Sequence, residues 1–186
     1  MVKVFFSILK TILDLLEIAL IFVVVFFVVY LFIGQLLEVT GDSMYPNFHD
    51  KDQILAERLS TKFVDIQRGE VIILKHPLEQ NKLLIKRVIG LPGETIRLSD
   101  GLVYINGLPL DETYLAPNTQ TQQEQAFQEG LEYKIPSDSY IVMGDNRTKS
   151  TDSREWGFLP KDLIVGRAVL VYFPLNRIRF VERKIF

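Results

Sequence analysis

Ser43 stands in a stretch rich in turn-formers, Thr40-Gly41-Asp42-Ser43-Met44-Tyr45-Pro46-Asn47. Gly41 permits a tight backbone turn, and Pro46 stops regular strand pairing. A serine in such a turn can present its hydroxyl and a free backbone N–H together, which suits a nucleophile with its oxyanion donor. An ordinary Gly-Asp-Ser surface turn would carry the same residues. The hydroxyl also needs a base. The usual base is a histidine held by a carboxylate. His49 lies close by, but the Gly-x-Ser-x-Gly elbow is absent, because Tyr45 occupies its last glycine position. Lys86, within Leu83-Leu84-Ile85-Lys86-Arg87-Val88-Ile89, is the better candidate. On a strand alternate residues share a face, so Lys86 falls with Leu84 and Val88, and Arg87 with Ile85 and Ile89. Desolvation on an apolar face favours the neutral amine and lowers its pKa. A neutral amine beside serine can serve as general base. The competing arrangement is a solvated edge strand, with the lysine stem lying over its neighbours.

A third stretch runs from Gly144 to Pro160, GDNRTKSTDSREWGFLP. It is dense in hydrogen-bonding side chains yet ends on Trp156 and Phe158, which predicts a structured loop. Asp152 and Arg154 can pair, and hydroxyls can orient a buried amine. A calcium loop would need regularly alternating acidic ligands and a bidentate Glu, and neither is present.

These stretches sit in a chain of 186 residues with net charge -2, no cysteine and two histidines. Disulfides, thiolate metal sites and cysteine nucleophiles are excluded. No His-x-x-x-His spacing occurs, so neither a metal site nor a cofactor is expected. No basic run exists to hold phosphates, so nucleic acid is not expected as a partner.

The elements that must position the chemistry begin with an anchor. Residues 18–37, IALIFVVVFFVVYLFIGQLL, carry no charge. As a helix they span about 30 Å, the thickness of a bilayer's hydrocarbon layer. A secretory signal peptide has a shorter apolar core and ends in small residues, which Gln35-Leu36-Leu37-Glu38 does not supply. Lys3 and Lys10 precede the run, and the first basic residue after it is Lys51. The positive-inside rule then leaves a short N-terminus, 1–17, in the cytoplasm and residues 38–186 across the membrane.

Beyond the anchor, short apolar runs alternate with breakers. Asn106-Gly107 is a type I′ hairpin signal. The pattern predicts an antiparallel, mainly β domain, with a small barrel as one form of it. Lys51 to Ser60 reads as helix or strand. Asn118 to Gly130, NTQTQQEQAFQEG, predicts an exposed, mobile loop or small insertion. A variable insertion is expected at about 100–138. The tail from Arg177 reads as a last strand or a surface-lying end, with Phe173, Phe180 and Phe186 as core positions.

Taken together, Gly41-Asp42-Ser43-Met44-Tyr45-Pro46, Gly69-Glu70-Val71-Ile72, the run from Lys86 to Glu94, and Gly144-Asp145-Asn146-Arg147 through Asp152-Ser153-Arg154-Glu155-Trp156-Gly157 resemble the sequence boxes of bacterial type I signal peptidases (leader peptidases), in order and behind an apolar segment. The resemblance implies a membrane-anchored serine endopeptidase of the Ser/Lys type. It would remove signal peptides from secreted preproteins after small residues, Ala-x-Ala, through an acyl-enzyme.

In that family's pattern Ser43 is the nucleophile and Lys86 the base. The Ser43 N–H serves the oxyanion, and Ser150 hydrogen-bonds the lysine. Asp152 and Arg154 form the structural pair, Met44 and Pro46 shape the turn, and Gly144 supports the site. The strands before Ser43 and Lys86 would bind substrate in extended form, with Val39, Leu84 and Ile85 lining its small apolar pockets. Gly41 stands where some members carry a serine oxyanion donor, so no second side-chain donor is assigned. A soluble, repressor-like Ser/Lys hydrolase or an inactive tethered β module are the competing classes.

Overall fold

The structure is a computed structural model that describes residues 2–32, 34–79 and 81–183. It opens on helix α1, Val2–Phe32, followed in order by β1 (Gly34–Glu38), β2 (Gln53–Glu57), the short helix α2 (Ser60–Phe63), β3 (Val71–Lys75) and β4 (Leu83–Gly90). Next come β5 (Thr95–Ser99), β6 (Leu102–Ile105), β7 (Leu108–Pro109) and β8 (Glu132–Lys134). The chain closes with β9 (Ser139–Met143), the one-turn helix α3 (Ser153–Trp156), β10 (Leu159–Pro160), β11 (Ile164–Phe173) and β12 (Arg179–Phe180). The expected mainly antiparallel β fold is present.

Eight strands form one sheet in the order β1-β2-β11-β3-β4-β9-β10, with β12 also on β11. Every pairing in it is antiparallel. β1 and β10 end that order, so hydrogen bonds do not close the sheet into a barrel among the described residues. Four strands, β7-β6-β5-β8, form the second sheet. The residues between Lys51 and Ser60 resolve as strand β2, because Ile54 and Ala56 alternate into the core while their neighbours stay half-exposed.

Three apolar clusters hold the sheets. Val39, Met44, Phe48, Ile54, Val71, Ile73 and Ile85 pack together beneath the Ser43 turn. Ile72, Leu74, Val88, Tyr140 and Val142 fill the opposite side of β3 and β4. Ile89, Ile141 and Met143 reach across to Ile96, Leu98 and Val103, joining the small sheet to the large one. β4 is thus covered on both faces. Lys86 shares its face with Leu84 and Val88, which pack with Ile72 and Leu74 as the strand pattern predicted, and it is buried.

Several expectations change. The span placed at 18–37 is helical only through Phe32; Gly34 to Leu37 belong to β1, paired residue by residue with β2. Gly34 lies close against the Leu55 side chain, where a Cβ would collide, so this glycine ends the helix and admits the strand. The expected cytoplasmic segment 1–17 is the first half of the same helix, with Lys10, Asp14 and Glu17 exposed on it. The side chains of residues 27–33 lie outside those described, and with them a third of the expected span. Among the described residues, no helix is long and apolar enough to cross a membrane.

The small sheet begins with β5 at Thr95. Residues 118–130 are pinned rather than mobile. Phe127 sits in the core between the sheets, Thr121 is buried and accepts a hydrogen bond from Arg147, and Ala126 N donates to Arg154 O at 2.9 Å. Their glutamines face outward, with Asn118 and Glu129, which gives the stretch its polar look. Asn106 and Gly107 both have positive φ, 50° and 80°, as a type I′ hairpin requires. The tail does form a last strand, β12. Phe173 and Phe180, read as core positions, are instead 47% and 79% exposed. Phe186 lies outside the described residues.

Candidate active site

The Ser43 turn is built by its own main chain. Tyr45 N donates to Asp42 O at 3.1 Å and Phe48 N to Met44 O at 2.9 Å. The Tyr45–Pro46 bond is cis. Gly41 takes φ 84°, in the left-handed region, and its N–H donates to Asp50 Oδ1 at 2.7 Å. Met44 and Phe48 are buried beneath the turn and anchor it to the sheet. Ser43 itself stays half-exposed.

Lys86 comes from the middle of β4, and 2% of it is exposed. Its Nζ donates to Ser43 Oγ at 2.9 Å and to Ile85 O at 3.0 Å. Burial lowers its pKa to about 8 from the ordinary lysine value, against the opposing pull of the Asp152 and Asp145 carboxylates. The two side chains singled out in the sequence therefore meet, in a setting where the amine loses its proton readily.

Behind them lies the loop that follows β9. Asn146 N donates to Ser43 O at 3.0 Å, and Asn146 Nδ2 to Asp42 O at 3.1 Å. Asp152 is fully buried and caps α3. It accepts from Gly144 N at 2.9 Å and from Arg154 Nε and Nη2 at 2.8 and 2.9 Å. Burial alone would raise the Asp152 pKa, but the Arg154 hydrogen bonds and charge, with the Gly144 N–H, hold it below the ordinary carboxylate value. Gly144 is pressed between Ser43 O and the Ser150 side chain, with no space for a Cβ.

Ser150 differs from expectation. Its hydroxyl is buried against Gly144, close enough to the Asp152 carboxylate to help keep it ionised, yet it meets no group at hydrogen-bonding geometry. Lys86 turns its donors to Ser43 and Ile85 instead.

Val39, Leu84 and Ile85 all line one cleft. Leu37 to Thr40 form one wall, Leu83 to Lys86 the other, Ile54 and Ile73 the floor, and Ser43 the end. Its volume is ≈ 100 Å³, enough for a small side chain. Both walls offer strand edges. Among the described residues, β1 pairs only with β2, and β4 pairs with β9 only from Arg87 onward, which leaves Leu83 to Lys86 bonded to β3 alone. Such edges can take an extended peptide by strand addition.

Some of the site gave little or no signal in the sequence. Arg87 and Asp145 form a buried ion pair, with Nε and Nη2 at 2.8 and 2.6 Å from the two carboxylate oxygens. Asn47 Nδ2 also donates to Asp145, at 2.9 Å. Arg147 donates to Gly144 O, to Glu112 and to Tyr114 Oη. Arg87 could have been suspected from its place opposite Lys86 on the strand, and Asp145 from its glycine-flanked loop. Glu112 and Tyr114 lie in the insertion with no local pattern to mark them. Among the described residues, no three His, Asp or Glu side chains gather as a metal ion would require.

A hydroxyl and a desolvated amine at the end of a groove with open strand edges define a peptide-cleaving class of site. Residues 12–173 match the family of signal peptidase, peptidase S26. The chain belongs to that family and is an enzyme, a serine endopeptidase. It is 40% identical over 155 residues to signal peptidase I of Leptolyngbya laminosa, covering 79% of this chain and 72% of that one. It is 34% identical over 176 residues to signal peptidase I S of Bacillus subtilis (strain 168), covering 91% and 94%. A solved signal peptidase I from Enterococcus faecalis V583 aligns with a TM-score of 0.45 at 30% identity, covering 55% of this chain and 96% of that one.

Proposed function

We propose that this chain removes signal peptides from secreted preproteins, cutting after small residues of the Ala-x-Ala type through a Ser43/Lys86 dyad. The observation that carries this is the 2.9 Å contact between Lys86 Nζ and Ser43 Oγ at the end of the cleft. Neutral Lys86 takes the Ser43 proton as Oγ adds to the carbonyl carbon. The Ser43 N–H steadies the oxygen that gains charge. The ammonium of Lys86 then gives its proton to the leaving amine as the peptide bond breaks, leaving an ester on Ser43. Water, deprotonated by Lys86, hydrolyses the ester and returns both residues to their starting forms.

The same reading places the enzyme at a membrane, with the helical part of the apolar run, from residue 18 to Phe32, as a single-pass anchor in the lipid bilayer. The support is the uncharged apolar run and the lysines before it, which favour a cytoplasmic N-terminus and a catalytic domain on the trans side. A nucleophile about six residues past the run meets a substrate whose own apolar segment lies in the bilayer.

Processing of an Ala-x-Ala preprotein in detergent by the parent, Ser43→Ala and Lys86→Ala proteins tests the chemistry. The parent should process and both variants should not. Undiminished processing by either variant, or none by the parent, sinks the dyad. Carbonate extraction of cell membranes tests the anchor, which fails if the full chain is released to the supernatant.

A further inference from the structure

We infer that Tyr114 is a positioning residue for the Ser43/Lys86 pair, tying the turn that carries the hydroxyl, the strand that carries the amine and the loop behind both. This rests on the dyad reading above. Tyr114 belongs to the segment between β7 and β8, outside every stretch that suggested chemistry in the sequence. It is 6% exposed and touches all three parts of the site through different atoms. Its carbonyl oxygen accepts from Asn47 Nδ2 at 2.9 Å, and Asn47 lies on the Ser43 turn. Its ring lies under the Arg87 guanidinium, 4.5 Å from ring centre to Cζ, and Arg87 is the neighbour of Lys86. Its hydroxyl accepts from Arg147 Nη2 at 2.9 Å and donates to Glu112 Oε1 at 2.6 Å.

The contacts form a closed frame. Asp145 receives both Asn47 and Arg87, so the turn and the strand meet on one carboxylate as well as on Tyr114. Arg147, held by Glu112, Thr121 and the Tyr114 hydroxyl, spends its remaining N–H on Gly144 O. Gly144 in turn packs on Ser43 O. Burial pushes the Tyr114 phenol far above its ordinary pKa, so the group remains a donor to Glu112. Tyr114 also belongs to the apolar cluster between the sheets. A residue that merely filled this cluster would need neither the hydroxyl pair nor the cation over its ring. A small loss of alignment between nucleophile and base is costly, about 10²-fold in rate for a displacement of about 1 Å.

The test compares the parent chain, Tyr114→Phe and Tyr114→Leu in detergent. Tyr114→Leu should lower kcat by about 10-fold or more while KM stays within about twofold, the signature of a lost alignment rather than lost binding. Tyr114→Phe keeps the ring under Arg87 but loses the hydroxyl bonds to Arg147 and Glu112, and its kcat should fall between those of the parent and Tyr114→Leu. Hydrogen exchange supplies a readout independent of cleavage. The amides of Phe48 and Asn146 should exchange faster in Tyr114→Leu, with β11 amides at parental rates. A kcat equal to the parent's, a loss confined to KM, or faster exchange spread equally over β11 would overturn the inference. If the parent itself does not cleave, the proposed activity fails, and the exchange rates alone decide for or against the frame.

Discussion

Gly144 lies so close against the carbonyl oxygen of Ser43 that a single added methyl would collide with it. The same methyl would strike the Ser150 side chain. Gly144→Ala must therefore push the loop away from the nucleophile's own main chain. Overpacking of this kind costs about 1–3 kcal/mol. Because the Asn146 to Ser43 bond is carried on the same loop, the expected outcome is a lower denaturant midpoint together with a fall in kcat. Gly144→Ala with Ser150→Gly should recover part of the stability, but little of the activity, since the collision with Ser43 O remains. Full recovery of kcat in the double variant would show that only the Ser150 side chain matters.

Lys86 sets the pH dependence of both rate and stability. With its pKa lowered to about 8 by burial, kcat/KM should rise with pH around 8 as the amine becomes neutral. For stability, the unfolded chain binds the lysine proton up to about pH 10.4 and the folded chain only up to about 8. Between these values the unfolded state holds more protons, so stability rises with pH across that window. Below pH 8 both states are protonated and the cost of the buried ammonium is fully present. Lys86→Met should therefore stabilise the fold at pH 7 by about 3 kcal/mol at most, with the gain vanishing above about pH 10.4. Urea titrations at pH 7 and 10.5 measure this, and an equal gain at both would assign it to packing alone.

The reasons for success and failure in reading the sequence are physical. Ser43 and Lys86 were candidates from their local patterns, a hydroxyl in a glycine- and proline-bounded turn and an amine in an apolar strand. A plain surface turn and a solvated edge strand fit the same residues, and the resemblance of the ordered boxes decided between them. Val39, Leu84 and Ile85 came from the resemblance to signal peptidases, which implies substrate pockets on the strands before the two reactive residues. The strands were legible from their breakers. Residues 118–130 were misread because their glutamines face solvent while Thr121 and Phe127 are buried, and composition averages the two. Phe173 and Phe180 were misread because apolar type implies burial only on average; β12 is a two-residue edge strand with nothing packed over it among the described residues. Tyr114 and Glu112 were invisible because their partners, Arg87 and Arg147, lie far away in sequence and only the fold brings them near.

Asp152 couples the fold to the base. Replacing it with Asn leaves the buried Arg154 guanidinium with the more distant, partly exposed Glu124 carboxylate at 3.5 Å, and breaking a buried pair typically costs up to about 3–5 kcal/mol. The loss should be pH-dependent. Asp152 has its pKa held low in the fold, so its contribution is present above the unfolded carboxylate value and disappears as pH falls through the folded one. The parent and Asp152→Asn should thus converge in stability at strongly acid pH. The same carboxylate raises the Lys86 pKa, so the variant's remaining activity should have its alkaline rise shifted to lower pH. A rise at unchanged or higher pH would remove Asp152 from the electrostatics of the base.

Specificity for small residues should reside in the wall that carries Val39. A cleft of ≈ 100 Å³ lined by Val39, Ile85 and Ser43 favours a small side chain over a bulky one. Val39 is 3% exposed and faces the cleft together with Ile54 and Ile85. Val39→Ala removes two methyl groups from that wall without touching the Ser43 to Lys86 contact. Peptides ending in valine at the cleavage site should be poor substrates for the parent and should improve in kcat/KM by about 10-fold or more in the variant, since methylene-sized differences in an apolar pocket are worth about 1–3 kcal/mol. Alanine-ending peptides should lose a little through the looser fit. Competition between the two peptide classes in one reaction reads the ratio directly. A ratio unchanged from the parent's would move the selectivity away from Val39 and onto the opposite wall at Leu84.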